Sequence, residues 1–329
     1  MRETTTIEIA PNWTSLAGAL EAILAHLGTP LPRHAVMGLT GLAWHLCLGT
    51  KGGVTALPSG PTDMDKEAVV GRFRRTGWRW ERFAATVDPE NADATREAAI
   101  AWATSRLDRG IPLVGWDLRL HEYGVVGGYD RERRGFLVSD VLAGEAGALA
   151  PWERWPSALG QIELYAPTAP VEDDTLETIA SALETALACF AGKDGPADGQ
   201  PRGTGALDAW ADAFESDTEV DRAGNAYTLA VLQAARLDGA AFLEDVAAAL
   251  PELHETLDRA ERALRDEGQA LAPLITLFPF PAAGHGNITN AGLRRAAATA
   301  LRRAAALERA AAEELEAALA VLRGELAAG

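Results

Sequence analysis

Apolar positions recur with helical spacing at Leu16, Leu20, Ile23, Leu24 and Leu27, and Gly28 stands where such a helix would stop. The pattern predicts a buried helix over Ser15 to Leu27. A second apolar stretch, Ala35 to Leu48 ahead of Gly49, predicts another helix, and Lys66 to Arg75 a short third. The period then changes. Trp78, Trp80 and Phe83 sit on a predicted strand, a helix capped by Asp93 runs to about Arg109, and "IPLVGWDLRL" reads as a central strand. In "HEYGVVGGYDRERRGFLVSD", His121 to Asp140, Tyr123, Val125 and Val126 lead into Gly127-Gly128. A charged turn follows and Phe136-Leu137-Val138 returns, which predicts a β-hairpin. "QIELYAP" supplies a further strand. Helices ahead of an antiparallel sheet make an α+β order, not the alternation of a parallel-sheet enzyme.

Pro167, Pro170 and the acidic run Glu172 to Asp174 mark a boundary. Beyond it Leu176, Ile179, Leu183, Leu187 and Phe190 form a helical stripe, and "GKDGPADGQPRGTG" is a loop by composition. Further helices are predicted over Ala206 to Glu215, Arg222 to Leu250, Glu252 to Ala272 and Ala291 to Leu326, with "LFPFPAAGHGNITN" separating the last two. Long helices joined by loops make a bundle. The expected organisation is therefore an α+β domain over residues 1–170 and an all-α helical bundle domain over 171–329. The small side chains of the last helix permit close approach either inside the bundle or to a second copy, so a homo-oligomer stays open.

With 48% apolar residues in 329, the chain can bury a substantial core. No stretch approaches the roughly 20 apolar residues of a membrane helix, and "MRETTTIEIA" has no apolar leader core, so a cytoplasmic protein with no membrane partner is expected. The net charge of −17 is uneven: from Val171 onward 13 basic residues face 27 acidic ones. Such a surface repels phosphate backbones, which argues against a nucleic-acid partner. Cys47 and Cys189 lie in apolar runs, as reduced core thiols do. No HExxH, CxxC or EF-hand spacing occurs, and the glycines of "GVVGGYD" precede a turn, not a helix, so neither metal nor cofactor is expected.

The hairpin places an imidazole, His121, at one end and a carboxylate, Asp140, at the other, and a hairpin of this length can bring them to one sheet edge. A catalytic triad would then need a nucleophile, and a helix N-terminus suits it because its free N–H groups favour an anion. "NWTSLAG" offers Ser15 as nucleophile, Thr14 as its neighbour and Asn12 as an oxyanion donor. The competing reading is structural: Ser15 caps its helix, His121 is a strand-end histidine, and Asp140 ends a strand. Cys47 sits late in an apolar stretch without an activating helix start, His45 faces another side, and His285 lies on a loop without a partner pattern.

The segment "HEYGVVGGYD…FLVSD" resembles the "H-Y-x-V-V-x-G-Y-D … V-x-D-P" segment of bacterial papain-like cysteine peptidases of the double-glycine leader-cleaving type. It is closer still to the amino-terminal domain of the BtrH-like acyltransferases of butirosin biosynthesis, and that similarity extends to "ALEAILAHLGTPLPRHAVMGLTGLAW". It covers about Asn12 to Pro167, half of the chain. The resemblance implies a papain-like fold with His121 as base and Asp140 as the residue that orients it. It places a cysteine nucleophile where this chain has Ser15, and the family's oxyanion glutamine has only Asn12 to stand for it. Two functions follow as expectations: a serine-variant acyltransferase or amidohydrolase acting on an acyl or peptide substrate, or an inactive member that uses the cleft to bind a peptide or small molecule.

Overall fold

The computed structural model describes residues 6–60, 64–88, 90–141, 146–157, 159–172, 174–196, 198–281 and 284–328. Part of the amino-terminal stretch, Asp173 of the acidic run, Ala197 of the 192–205 loop and residues 282–283 lie outside them. The chain is mixed α+β and divides into two compact units, Met1–Val36 with Thr76–Glu172 and Met37–Arg75 with Asp173–Gly329. No helix among the described residues is long and apolar enough to cross a membrane.

The first unit is built on one antiparallel six-stranded sheet of order β1-β6-β2-β3-β4-β5. Its strands are β1 (Trp78–Thr86), β2 (Leu113–Trp116), β3 (Tyr123–Asp130), β4 (Gly135–Ser139), β5 (Ala148–Pro151) and β6 (Gln161–Pro170). Helix α1 (Ser15–His26) buries Leu16, Leu20, Ile23 and Leu24 and packs against β2 and β3. Gly28, at φ +77°, turns the chain out of the helix as expected. Helix α4 (Ala92–Leu107) buries Ala99 and Ala103 among Val126, Phe136, Val138, Ile162, Leu164 and Trp155. It starts one residue before Asp93, whose carboxylate pairs with Arg96 at 2.7 Å instead of capping. The β3–β4 hairpin forms where the apolar alternation places it, with Val126 opposite Val138 and a one-residue bulge before Gly128.

The second unit holds α5 (Thr175–Phe190), α6 (Gly203–Glu215), α7 (Arg222–Ala249), α8 (His254–Leu277) and α9 (Ala291–Ala328). The α9 helix buries Ala297, Ala304, Ala311, Leu315, Ala318 and Leu322 and packs against α5, α6 and α8, so its small residues serve packing within the chain. The segment 37–75, expected with the sheet domain, belongs here, while the break at Glu172/Asp173 falls two residues from the one expected. Packing explains the reassignment. Trp44 meets the rings of Phe190 and Phe242 at 6.0 and 6.1 Å, and Arg236 donates to the Ala43 carbonyl at 2.6 Å. A Cβ on Gly38 would lie 2.3 Å from the Phe242 ring, so only glycine admits that ring.

The helix expected over Ala35 to Leu48 is cut short. Helix α2 (Arg33–Thr40), whose residues divide between the two units, ends at Gly41, where φ of +89° takes the chain out of helical space. Residues Leu42 to Leu48 stay buried without being helical, and Cys47 bridges to Gly60 and Arg202. The short helix α3 (Lys66–Arg72), capped by Asp65, passes into a 3₁₀ turn over Phe73–Thr76.

Candidate functional site

Ser15 is the first residue of α1, and Thr14 is the N-cap residue, although no side chain caps the helix. The Ser15 hydroxyl donates to Glu122 Oε2 at 2.5 Å and accepts from the Tyr123 backbone N–H at 3.1 Å. It is therefore neither a helix cap nor paired with an imidazole. It ties the start of α1 to the start of β3. Burial raises the Glu122 carboxyl above its ordinary range, and the Ser15 hydrogen bond and the His121 charge offset this in part. Asn12 folds over the first turn of α1, its Oδ1 accepting from the Thr14 N–H at 2.8 Å. Its Nδ2 is buried and has no hydrogen-bond partner among the described residues.

His121 lies in the turn before β3. Its Nδ1 is 2.8 Å from Asp117 Oδ1, and the ring is 64% exposed against 3% for the aspartate side chain. Asp117 adopts φ +57°, a conformation aspartate tolerates better than most residues, and this tight turn brings its carboxylate round to a histidine four positions on. The other oxygen, Oδ2, accepts from the Ser157 N–H at 3.0 Å. Asp117 is thus anchored on both oxygens, and it orients the imidazole.

Asp140, just past β4, is buried and accepts from Arg119 Nη1 at 3.2 Å. Among the described residues no hydrogen bond joins Ser15 to His121 or His121 to Asp140. The three side chains expected to act together are each engaged elsewhere: Ser15 with Glu122, His121 with Asp117, Asp140 with Arg119. Two of these partners were open to sequence reasoning. Glu122 directly follows His121, and a one-residue change in a strand moves a side chain to the other face. Asp117 stands four residues before His121 and needs only a left-handed turn to reach it.

Asp117, Arg119, His121, Arg154 and Ser157, with Leu118, Leu120, Leu149 and Pro151, line a pocket of about 430 Å³ at this end of the sheet. Its polar groups converge from the β2–β3 turn and from the segment between β5 and β6. Close by, Glu163 Oε2 accepts from the hydroxyls of Tyr123 at 2.7 Å and Tyr165 at 2.6 Å. Burial, with the charge of that carboxylate, holds both phenols above their ordinary range, so they act as fixed donors.

In the second unit His45, remote in sequence from Cys189 and Asp194, joins them in a buried cluster that brings one donor atom of each within 4.8 Å of the others. The set matches zinc-type donors in kind, but Arg72 pairs with both oxygens of Asp194. Cys189 Sγ lies 3.3 Å and His45 Nδ1 3.5 Å from Asp194 Oδ2. Burial works to raise the Asp194 carboxyl, but hydrogen bonds from His45, Arg72 and Cys189 overcome it and hold the group well below the usual carboxylate range. Burial and the facing carboxylate push the Cys189 thiol up, so it stays protonated and donates. The cluster is an ion-paired hub that ties the chain after α5 to α3.

No protein-family model matches this chain, and no curated protein matches it either.

Proposed function

We propose that the first unit is a papain-like domain of the BtrH-like kind that binds a small acyl- or peptide-type molecule and forms no acyl-enzyme. The observation that carries this reading is the Ser15–Glu122 hydrogen bond. A serine needs a base that can take its proton while it attacks, usually an imidazole whose second nitrogen is held by a carboxylate. Here the hydroxyl is fixed between a carboxylate and a strand N–H, and the oriented imidazole serves a different pocket. Counted back from Gly128-Tyr129-Asp130, the histidine of the pattern "H-Y-x-V-V-x-G-Y-D" falls on Glu122. Serine and glutamate then stand where the resembled enzymes have cysteine and histidine.

A serine-variant acyltransferase or amidohydrolase is the second reading, and one feature favours it. The unpartnered Asn12 Nδ2 is buried beside the first turn of α1, as an oxyanion donor would be. Ser15 would then pass its proton to Glu122. Incubation with an activated aryl ester, an acyl thioester and a fluorophosphonate, followed by intact-mass measurement, separates the two. Unmodified protein is expected. An adduct on Ser15, absent in Ser15→Ala, would overturn the binding reading in favour of the enzyme.

A further inference from the structure

We infer that the pocket at the His121 end of the sheet is a binding site for a small molecule bearing a carboxylate or phosphate, held by Arg154 and by Nε2 of His121. The inference rests on the binding reading above and names the ligand's chemistry.

Four ionisable side chains line the pocket. The Arg119 guanidinium faces the buried Asp140 carboxylate, and both oxygens of Asp117 are taken, by the His121 ring and the Ser157 N–H. Arg154 has no carboxylate or hydrogen-bond partner among the described residues, although it borders the same cavity. A guanidinium presents a planar fork of N–H donors that matches the two oxygens of a carboxylate or phosphate. An uncommitted one in a concave site with polar neighbours is a recognition group in waiting.

The imidazole adds direction. With Nδ1 directed at Asp117, the ring is oriented and Nε2 has no hydrogen-bond partner among the described residues. In its protonated form the ring presents Nε2–H as a charged donor for an anion. Arg154 comes from the β5–β6 segment and His121 from the β2–β3 turn, and Asp117 Oδ2 locks those two segments together through Ser157. The imidazole is therefore oriented, and the segment carrying Arg154 tied to its turn, by the one buried carboxylate of Asp117. Leu118, Leu120, Leu149 and Pro151 supply an apolar wall, so an anion carried on a small apolar body fits better than a bare ion.

The test uses the full chain and three probes: inorganic phosphate, phenyl phosphate and benzoate, titrated by calorimetry and followed through the His121 ring resonances. Saturable binding of at least one organic anion is expected, with phenyl phosphate against benzoate telling the preferred head group. Arg154→Gln should weaken it about tenfold or more, the loss expected of one charge-assisted contact. His121→Gln should weaken it less, and Arg131→Gln, on the hairpin turn, should leave it unchanged. Thermal melts of the variants confirm that they are folded. No saturable binding of any probe, or equal loss with Arg131→Gln and Arg154→Gln, would overturn the assignment. A Ser15 adduct in the acylation experiment with anion binding intact would sink the non-catalytic reading alone.

Discussion

Replacing Ser15 by alanine separates a structural hydroxyl from a nucleophile by the sign of its effect on stability. The hydroxyl is buried, donates a hydrogen bond to Glu122 and accepts one from the first N–H of β3. Losing a hydrogen bond to a charged group costs about 1.5–3 kcal/mol, and stranding a buried N–H costs about 1–3 kcal/mol more. Because both losses share one atom they do not simply add, and about 2–4 kcal/mol of destabilisation is expected for Ser15→Ala. Active-site groups are held at a cost to the fold, and removing a nucleophile is commonly neutral or stabilising. The assay is equilibrium denaturation read through tryptophan emission. Trp116 is a suitable reporter, since its ring lies 4.9 Å from that of Tyr123, the residue whose N–H would be stranded. The double variant Ser15→Ala/Glu122→Gln should show a coupling of about 1 kcal/mol or more. A Ser15→Ala protein as stable as the parent, or more so, would refute the structural assignment.

Other consequences follow from the buried charges of the second unit. Asp194→Asn removes the anion that faces Arg72, His45 and Cys189, and should cost about 3–5 kcal/mol in thermal or urea unfolding, the usual penalty for leaving one buried partner uncompensated. Since the Asp194 carboxyl is depressed, its stabilisation is present above the unfolded carboxylate range and lost as pH falls, so the variant should show a flatter acid limb. Glu267 behaves oppositely. It is fully buried beside Arg236 and Glu308, and burial, then the Glu308 charge, raises its carboxyl well above the ordinary range. The stability it supports is present at low pH and lost as pH rises through that raised value. Glu267→Gln should therefore gain on the parent protein as pH increases, and a pH-independent difference would contradict the assignment. Gly38→Ala should destabilise by about 1–3 kcal/mol through its clash with the Phe242 ring, measurable in the same melts.

Where one face of an element is strongly apolar, the chain was legible. The α1 stripe, the β3–β4 alternation and the long helices after Asp174 lie within a few residues of their expected limits. The stretch Leu42 to Leu48 was not, because Trp44 is buried there by packing against Phe190 and Phe242, and apolar content alone does not separate a buried irregular segment from a buried helix. The short strand β5 was also missed, since "ALAP" has no β-branched or aromatic residue and is held as an edge strand by its pairing with β4. At the site, the sequence showed which polar residues gather at the start of α1 and the two ends of the hairpin. It did not show their pairing. That depends on the left-handed turn at Asp117 and on Glu122, not His121, meeting the Ser15 hydroxyl. Both are matters of one residue's register, to which hydrophobic pattern is blind.

The account turns on which carboxylate holds His121 and which group Ser15 serves. The most direct measurement is the set of ring nitrogen shifts of His121 in histidine-labelled protein, compared across Asp117→Asn, Asp140→Asn and Ser15→Ala. The account predicts that Asp117→Asn moves the Nδ1 resonance strongly while Asp140→Asn and Ser15→Ala leave the ring unchanged. Movement of the ring on loss of Ser15 or Asp140, with Asp117→Asn silent, would restore the Ser15–His121–Asp140 triad and contradict the account.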